Sequence, residues 1–235
     1  MDFTTLKLNI HPTENQLEMV RNWLLQEDEN RNEGYICEWN QITTAFHEHR
    51  LLLFQNQDGI YGFVTWEKYP MPYVSISRME IHPEFRKQGI GDLFFWKSID
   101  FFRLSGFVAV ILLNLSEENE KLAKKMDFKE IHLPIENTEK FFFMPLIATN
   151  EPTKEHPKNR FELWKSSEIA ENQAPHYVWE YEHGHFPIFL PCDKNWRFQL
   201  IKENITVRSA RLADLDTNDD LFFGPFLFIE GYDFE

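Results

Sequence analysis

The sequence predicts an α+β fold: a mixed, mostly antiparallel sheet with a central parallel strand pair flanked by helices, followed by a small, mainly β module. Three observations predict it. Strand-like runs in meander fill residues 47–82 and are parted by an Asp58-Gly59 hairpin signal and the turn Pro70-Met71-Pro72. A glycine-bearing loop then opens into an aromatic helix, and the apolar run FVAVILLNL (residues 107–115) follows. Strand, helix and strand in that order require a crossover, so the strands at 73–82 and 107–115 should lie parallel. Finally, residues 149–159, TNEPTKEHPKN, have no large apolar side chain and read as a linker between a domain at 1–148 and a module at 160–235.

Composition narrows the function classes. A chain of 235 residues, 43% hydrophobic and 16% aromatic, can bury a proper core. Its formal charge of -14 argues against nucleic-acid or anionic-membrane partners and suits an amine-bearing, basic substrate. Two distant cysteines, Cys37 and Cys192, argue against a disulfide framework and for a reducing compartment. With no signal-peptide pattern and no long apolar run, the expected location is the cytoplasm.

In order, residues 3–10 alternate as a strand, and Thr13 is the expected N-cap of a helix whose Leu17, Val20, Trp23 and Leu24 share one face. Asn30 or Asn32 stands near its end, and a short helical stretch follows around Cys37 to Ala45. Strands are expected at His47–Phe54, Ile60–Tyr69 and Tyr73–His82. On the first of them His47 and His49 would share a face, a weak metal signal with no third ligand nearby. Leu93, Phe94, Trp96, Ile99, Phe101, Phe102 and Leu104 make a helix apolar over much of its circumference, stopped by Ser105-Gly106. A helix at Glu117–Lys125 and strands at Lys129–Leu133 and Lys140–Ile147, joined by residues 136–139, complete the first domain.

The chemistry concentrates in RMEIHPEFRKQGIG, residues 78–91. A strand end, a basic glycine loop and a helix start together make an anion cradle, because first-turn N–H groups lack internal partners and the helix dipole is positive there. The expected ligand is a pyrophosphate. A dinucleotide fingerprint would need three glycines, and a nucleotide P-loop a Gly-Lys-Ser or Gly-Lys-Thr ending. Arg86, Gly89 and Gly91 fit the pattern Arg or Gln, two residues, Gly, one residue, Gly or Ala. With the preceding MEIHPEFR, the stretch closely resembles motif A of the GCN5-related N-acetyltransferases (GNAT), over about residues 1–148.

The resemblance implies acetyl-CoA as cosubstrate, with no metal, and a GNAT-like α/β sheet. It implies cofactor contacts from Met79, Glu80 and Ile81 on the strand and from Arg86, Lys87, Gln88, Gly89, Ile90, Gly91 and Asp92 in the loop, with Asn119 as a further candidate. The pantetheine arm is expected to add to the splayed strands, with Met79 and Ile81 on the contacting edge. Tyr35, Glu38 and Trp39 fall where the family forms one side of its acceptor site, although Ile36 and Trp39 fit a core equally well. Direct attack by the amine needs oxyanion donors near Met79 to Ile81 and a base, for which Glu80 is the candidate and Glu67 and Glu38 are competitors. Glu80 points opposite to Met79 and Ile81 and could pair with Arg78 or Arg86, while His82 shapes the loop. The chain departs from the family in two places: Asp127 replaces a glycine, and Ala123 replaces the tyrosine that in many members protonates the departing thiolate.

The module at 160–235 resembles no family. PHYVWEYE, FPIFLPC, WRFQLI and ITVRSARL read as strands, with Arg160–Ser166 a strand or helix start and with turns at residues 183–185 and 193–195. His176, His183, His185 and Cys192 have zinc-ligand types without finger spacing, and Trp164, Trp179, Trp196 and Tyr181 could line a groove or fill a core. The tail joins Asp214, Asp216, Asp219 and Asp220 to the aromatic run LFFGPFLFIEGYDFE, which could dock on the core or on a second subunit. Three readings follow: an N-acetyltransferase acting on an amine, an acyl-CoA-binding sensor without turnover, and a scaffold whose loop binds no nucleotide. A homodimer is a common family arrangement.

Overall fold

The computed structural model describes residues 5–31, 35–68, 73–113, 115–131, 140–166, 173–181, 185–214, 221–223 and 226–231. The expected turns at 70–72, 136–139 and 183–184, together with Asn32, Asp216, Asp219 and Asp220, lie outside them. The chain divides into two compact units, one of Met1–Lys129 and Phe141–Leu146, the other of Glu130–Lys140 and Ile147–Glu235.

The first unit begins with β1 (Lys7–Asn9), shorter than the run at 3–10 suggested, and α1 (Glu14–Arg31). Thr13 Oγ1 accepts from the N–H of Gln16 at 3.3 Å while Gln16 Oε1 accepts from the N–H of Thr13 at 2.9 Å, a reciprocal capping box. A 3₁₀ turn at Tyr35–Glu38 leads into α2 (Trp39–His47). The helix replaces the expected start of a strand at His47. Ile42, Ala45 and Phe46 keep a helical spacing against the core, and His49, at φ 58°, turns the chain before β2 (Leu51–Gln55) begins. His47 and His49 therefore do not alternate along a strand, and the metal signal they gave disappears.

β3 (Ile60–Lys68) and β4 (Tyr73–Ile81) extend the meander, and α3 (Ile90–Leu104) follows, taking Ile90 and Gly91 of the expected loop into its first turn. Gly106, at φ 84°, closes α3 in the left-handed conformation usual after a helix. β5 (Ala109–Leu113), α4 (Glu117–Lys125), β6 (Lys129–Ile131) and β7 (Phe141–Pro145) complete the main sheet, ordered β1-β2-β3-β4-β5-β7-β6. Its one parallel pair in the described register is β4 with β5. Asp127 has φ 64°, so the aspartate adopts the left-handed backbone that glycine supplies freely and that Asp tolerates better than most residues.

Apolar cores lie on both faces of this sheet. On one, Trp23, Leu24 and Val20 of α1 pack with Ile42 of α2 on Leu51, Leu53 and Phe63, and Ile36 and Trp39 join them. On the other, Ile90, Phe94, Phe95, Ile99 and Phe102 of α3 pack on Phe54, Val64, Val74 and Val110. Phe54 and Phe94 stack at 4.9 Å.

The second unit holds β8 (Arg160–Trp164), β9 (Tyr177–Glu180), β10 (His185–Pro191), β11 (Arg197–Lys202), β12 (Ile205–Arg211), β13 (Leu221–Phe223) and β14 (Phe226–Gly231). They form a four-stranded sheet, β12-β11-β8-β9, and a three-stranded one, β10-β14-β13. Phe161, Trp179, Tyr181 and Leu200 share one buried cluster with Ile188, Leu227 and Ile229, so those aromatics are core. Within the aromatic tail, β14 runs antiparallel to β10 with Phe228 opposite Phe189, so this described part pairs inside its own unit. Residues 150–159 carry ladder-like bonds to this unit, including Thr153 N–H to the Val178 carbonyl at 2.7 Å and Asn150 N–H to that of Pro187 at 2.9 Å. His176 Nδ1 accepts the N–H of Lys165, Cys192 is buried, and no three potential metal ligands converge among the described residues.

Candidate functional site

Two irregularities of β4 shape the site. Arg78 pairs with Thr65 but Ile76 with Trp66, so Ser77 is an extra residue and the strand bulges there. The ladder to β5 covers only Tyr73, Val74 and Ser75, opposite Ala109, Val110 and Ile111. Beyond Ser75, β4 keeps its β3 partner and has no strand on its other edge among the described residues.

The register decides which backbone groups face that opening. His82 N–H donates to the Tyr61 carbonyl at 2.9 Å, a bonded antiparallel pair. Because such pairs alternate, Glu80 and Arg78 exchange bonds with Phe63 and Thr65, and Met79 and Ile81 present their N–H and C=O to the open edge. The Ile81 carbonyl confirms the direction, since it accepts from Arg86 Nε at 2.8 Å instead of from β3. Close β3–β4 contact depends on Gly62, where a Cβ would stand 2.6 Å from the Glu80 carbonyl oxygen and 3.2 Å from Phe94.

The open edge runs into the loop. His82 Nδ1 accepts the N–H of Glu84 and caps the 3₁₀ turn Pro83–Phe85, the loop-shaping role expected of it. The backbone is left-handed at Lys87 (φ 59°) and again at Gly89 (φ 79°), the N-cap of α3. Such alternation makes successive N–H groups converge into an anion nest, and the unpaired first-turn donors of α3 lie directly after it. Lys87, Gln88, Gly89 and Asp92 are exposed. Gln88 donates to the Glu84 carbonyl at 2.8 Å. Ile90 differs from its neighbours, since its side chain is 1% exposed and belongs to the core. A Cβ on Gly91 would meet only Ile81, at 3.7 Å, so space remains above the helix start.

Charged groups gather on the other face of β4, against α1 and α2. Arg86 Nη1 lies 2.6 Å from Glu27 Oε1, and its Nη2 lies 3.3 Å from Glu80 Oε2. Arg78 pairs with Glu38. Glu27, 7% exposed, also accepts from Trp23 Nε1 at 3.2 Å. Sequence reading missed Glu27, although it lies one turn beyond Trp23 and Leu24 on the apolar stripe of α1, where a carboxylate calls for a partner. His82 lies 5.0 Å from the Trp23 ring, and burial holds its pKa below the ordinary value; Arg86 acts in the same direction while Glu84 and Glu27 oppose it.

The structure thus brings Met79, Ile81, Lys87, Gly89, Gly91 and Asp92 around one opening and turns the Glu80 side chain away from it, while Arg86 bonds the Ile81 carbonyl at the edge through Nε and reaches Glu27 and Glu80 through Nη1 and Nη2. Glu67 is exposed opposite Ser75, beyond the bulge. Asn119 is exposed in the first turn of α4, where its N–H is capped by Ser116 Oγ, and Ala123 is buried. Trp39 packs on the core with the Arg21 guanidinium 5.9 Å from its ring, Glu38 is engaged by Arg78, and the Tyr35 side chain lies outside the described residues. A cavity of about 620 Å³, lined by Asp58, Tyr61, His82, Glu84 and Phe85 among others, opens on the β2–β3 hairpin side of the loop and is separate from the β4 edge facing β5.

The model of the acetyltransferase (GNAT) family matches residues 17–128. Similar solved structures include a putative GNAT-family acetyltransferase from Desulfovibrio desulfuricans, at 11% identity and TM-score 0.47, covering 60% of this chain and 98% of that one. A GNAT-family acetyltransferase from Staphylococcus aureus Mu50 has 14% identity and TM-score 0.46, with 60% and 99% covered. N-acetylglutamate synthase from Neisseria gonorrhoeae, complexed with coenzyme A and N-acetyl-glutamate, has 12% identity and TM-score 0.45, with 61% and 35% covered. No curated protein matches the chain in sequence. Residues 17–128, which contain the bulged strand, the left-handed loop and the helix start, are thus the part of the chain that matches the acetyltransferase (GNAT) family.

Proposed function

We propose that this chain transfers an acetyl group from acetyl-CoA to an amine by direct attack. The observation that carries the reading is the edge of β4 beyond Ser75, which has no partner strand among the described residues and runs into the left-handed loop at the start of α3. The N–H groups from Lys87 to Asp92 and the exposed ammonium of Lys87 suit a pyrophosphate, and the edge at Met79 and Ile81 suits an extended amide-bearing arm that adds to the sheet. Bound acetyl-CoA supplies a thioester whose carbonyl carbon accepts the amine and whose sulfur leaves as thiolate.

The chain's own groups then have defined tasks. The N–H of Met79, facing the opening, is the nearest backbone donor to the bulge for a developing oxyanion. The amine must reach the site neutral and lose a further proton after attack, so a carboxylate is needed directly or through water. Glu80 is engaged by Arg86, whereas Glu67, on the same face of the sheet and beyond the bulge, is exposed and is the favoured base of the two candidates. Ala123 has no proton to give, so the thiolate departs without an acid at that position, which a thiol of ordinary pKa about 8.5 tolerates. The strongly acidic chain favours a basic acceptor. We assign the acyl-transfer reaction to the domain at 1–148 and leave the module at 160–235 outside the chemistry.

A second reading, a CoA-binding sensor without turnover, is favoured specifically by Ala123. The two separate on incubating the full chain with acetyl-CoA and a panel of amino acids, polyamines and peptide amino termini, followed by mass spectrometry. An acetylated amine formed by the native chain and absent with Gly91→Glu supports transfer. Binding of acetyl-CoA without any acetylated product contradicts it and supports the sensor.

A further inference from the structure

We infer that one turn of α1 holds the cofactor loop in its binding shape, with Glu27 acting through Arg86 and Trp23 acting through His82 as positioning residues. The inference rests on the CoA-binding reading above. Trp23 and Glu27 are four residues apart and so share a face of α1. Their side chains are joined by the bond from Trp23 Nε1 to Glu27 at 3.2 Å. Each grips one end of the loop entrance: the Trp23 ring lies 5.0 Å from that of His82, and Glu27 Oε1 lies 2.6 Å from Arg86 Nη1.

Between these grips the chain makes the 3₁₀ turn Pro83–Phe85, and directly after the second it enters the left-handed region at Lys87, a conformation that a lysine does not favour. A strained residue of this kind persists only where its surroundings over-determine it. Arg86 provides that restraint. Its guanidinium joins α1 through Glu27, the face of β4 through Glu80, and the open edge of β4 through the Ile81 carbonyl at 2.8 Å. An arginine beside a phosphate loop would ordinarily serve as a fork for the phosphate itself. Here its bonded donors are aimed at protein acceptors, so it acts as a brace.

Charge and position make opposite predictions for Glu27→Gln. Removing a carboxylate near the loop should tighten binding of a polyanion if electrostatics alone acts. It should weaken binding if Glu27 fixes the loop. We would titrate CoA calorimetrically into the native full chain, Glu27→Gln, Arg86→Gln and the double variant, and measure amide hydrogen exchange over residues 86–92 in the same proteins without CoA. The brace predicts about tenfold weaker CoA binding for each single variant and a double variant that loses clearly less than the product of the two. It also predicts faster exchange across the loop, with β2 and β3 as protected as in the native chain. Unchanged or tighter binding by Glu27→Gln, single effects that multiply in the double variant, or unchanged loop exchange would overturn it. If the native chain fails to bind CoA, the cofactor reading falls, while loop exchange still decides the brace.

Discussion

Two buried glutamates in this molecule make nearly the same bonds and hold different things. In the amino-terminal unit, Glu27, with a side chain 6% exposed, binds Arg86, which also bonds the Ile81 carbonyl. In the carboxyl-terminal unit, Glu162, at 8%, binds Arg160 at 2.7 Å, and Arg160 also bonds the Pro157 carbonyl at 2.8 Å and Asn204 Oδ1 at 3.0 Å. Behind Arg160 stands the tight turn Glu203-Asn204, with φ 47° and 65°, which joins β11 to β12. Behind Arg86 stands a loop with converging N–H groups and a helix start. A buried ion pair therefore says little about function by itself; the backbone it immobilises carries the meaning.

The comparison can be broken at its strongest point first. At Gly62→Ala the new methyl would meet the Glu80 carbonyl at 2.6 Å and force β4 away from β3. We expect a loss of about 3 kcal/mol, a fall in Tm of roughly 6–12 °C in thermal unfolding, and weaker CoA binding as the Arg86 side of β4 shifts. Glu162→Gln should cost less, about 1–2 kcal/mol, and leave CoA affinity within about twofold. A comparable loss of CoA affinity from Glu162→Gln would erase the distinction between the two pairs.

Much of the first region was legible in advance. Arg78 to Gly91 announced a strand, loop and helix, and the helix at Glu117–Lys125 was placed to the residue. The partners of the charged side chains were less legible, because a pair such as Glu27 and Arg86 joins residues far apart in the chain, and only the sheet register brings α1 beside the loop. The cofactor contact expected of Arg86 came from the motif resemblance, and its pairing with Glu80, which the sequence did suggest, is present. His47 was misread as strand because Phe46 and His47 continue the helix from Ala45, and a short apolar run does not declare its period. In the second region the strands at FPIFLPC and WRFQLI were legible, whereas β13 and β14 were hidden in an aromatic tail whose partner, β10, lies some forty residues earlier.

Two smaller effects sharpen the contrast. His82 has its pKa lowered, with burial the leading cause, so it is favoured neutral in the folded chain. Below the ordinary value of about 6.5 the unfolded chain binds a proton that the folded chain resists. Stability should therefore fall as pH drops from there to the lowered folded value and level off beneath it, and His82→Asn should flatten this decline in unfolding curves taken across that window. The second effect concerns thiols. Cys192 is buried, and burial pushes its pKa far up, whereas Cys37 is exposed. Iodoacetamide at neutral pH should label the native chain once, at Cys37, and twice after denaturation; rapid native labelling of Cys192 would show that the second unit opens readily.

The central claim is that the open edge of β4 and the loop after it form a CoA site. Calorimetric titration of CoA and acetyl-CoA into the native chain and into Gly91→Glu tests it most directly, since the new side chain enters the free space at the start of α3 and brings a negative charge where phosphate should lie. The account predicts micromolar binding by the native chain and its loss in the variant, with unfolding temperatures little changed. A folded native chain that binds neither ligand, or a variant that binds both as well as the native chain does, would contradict it.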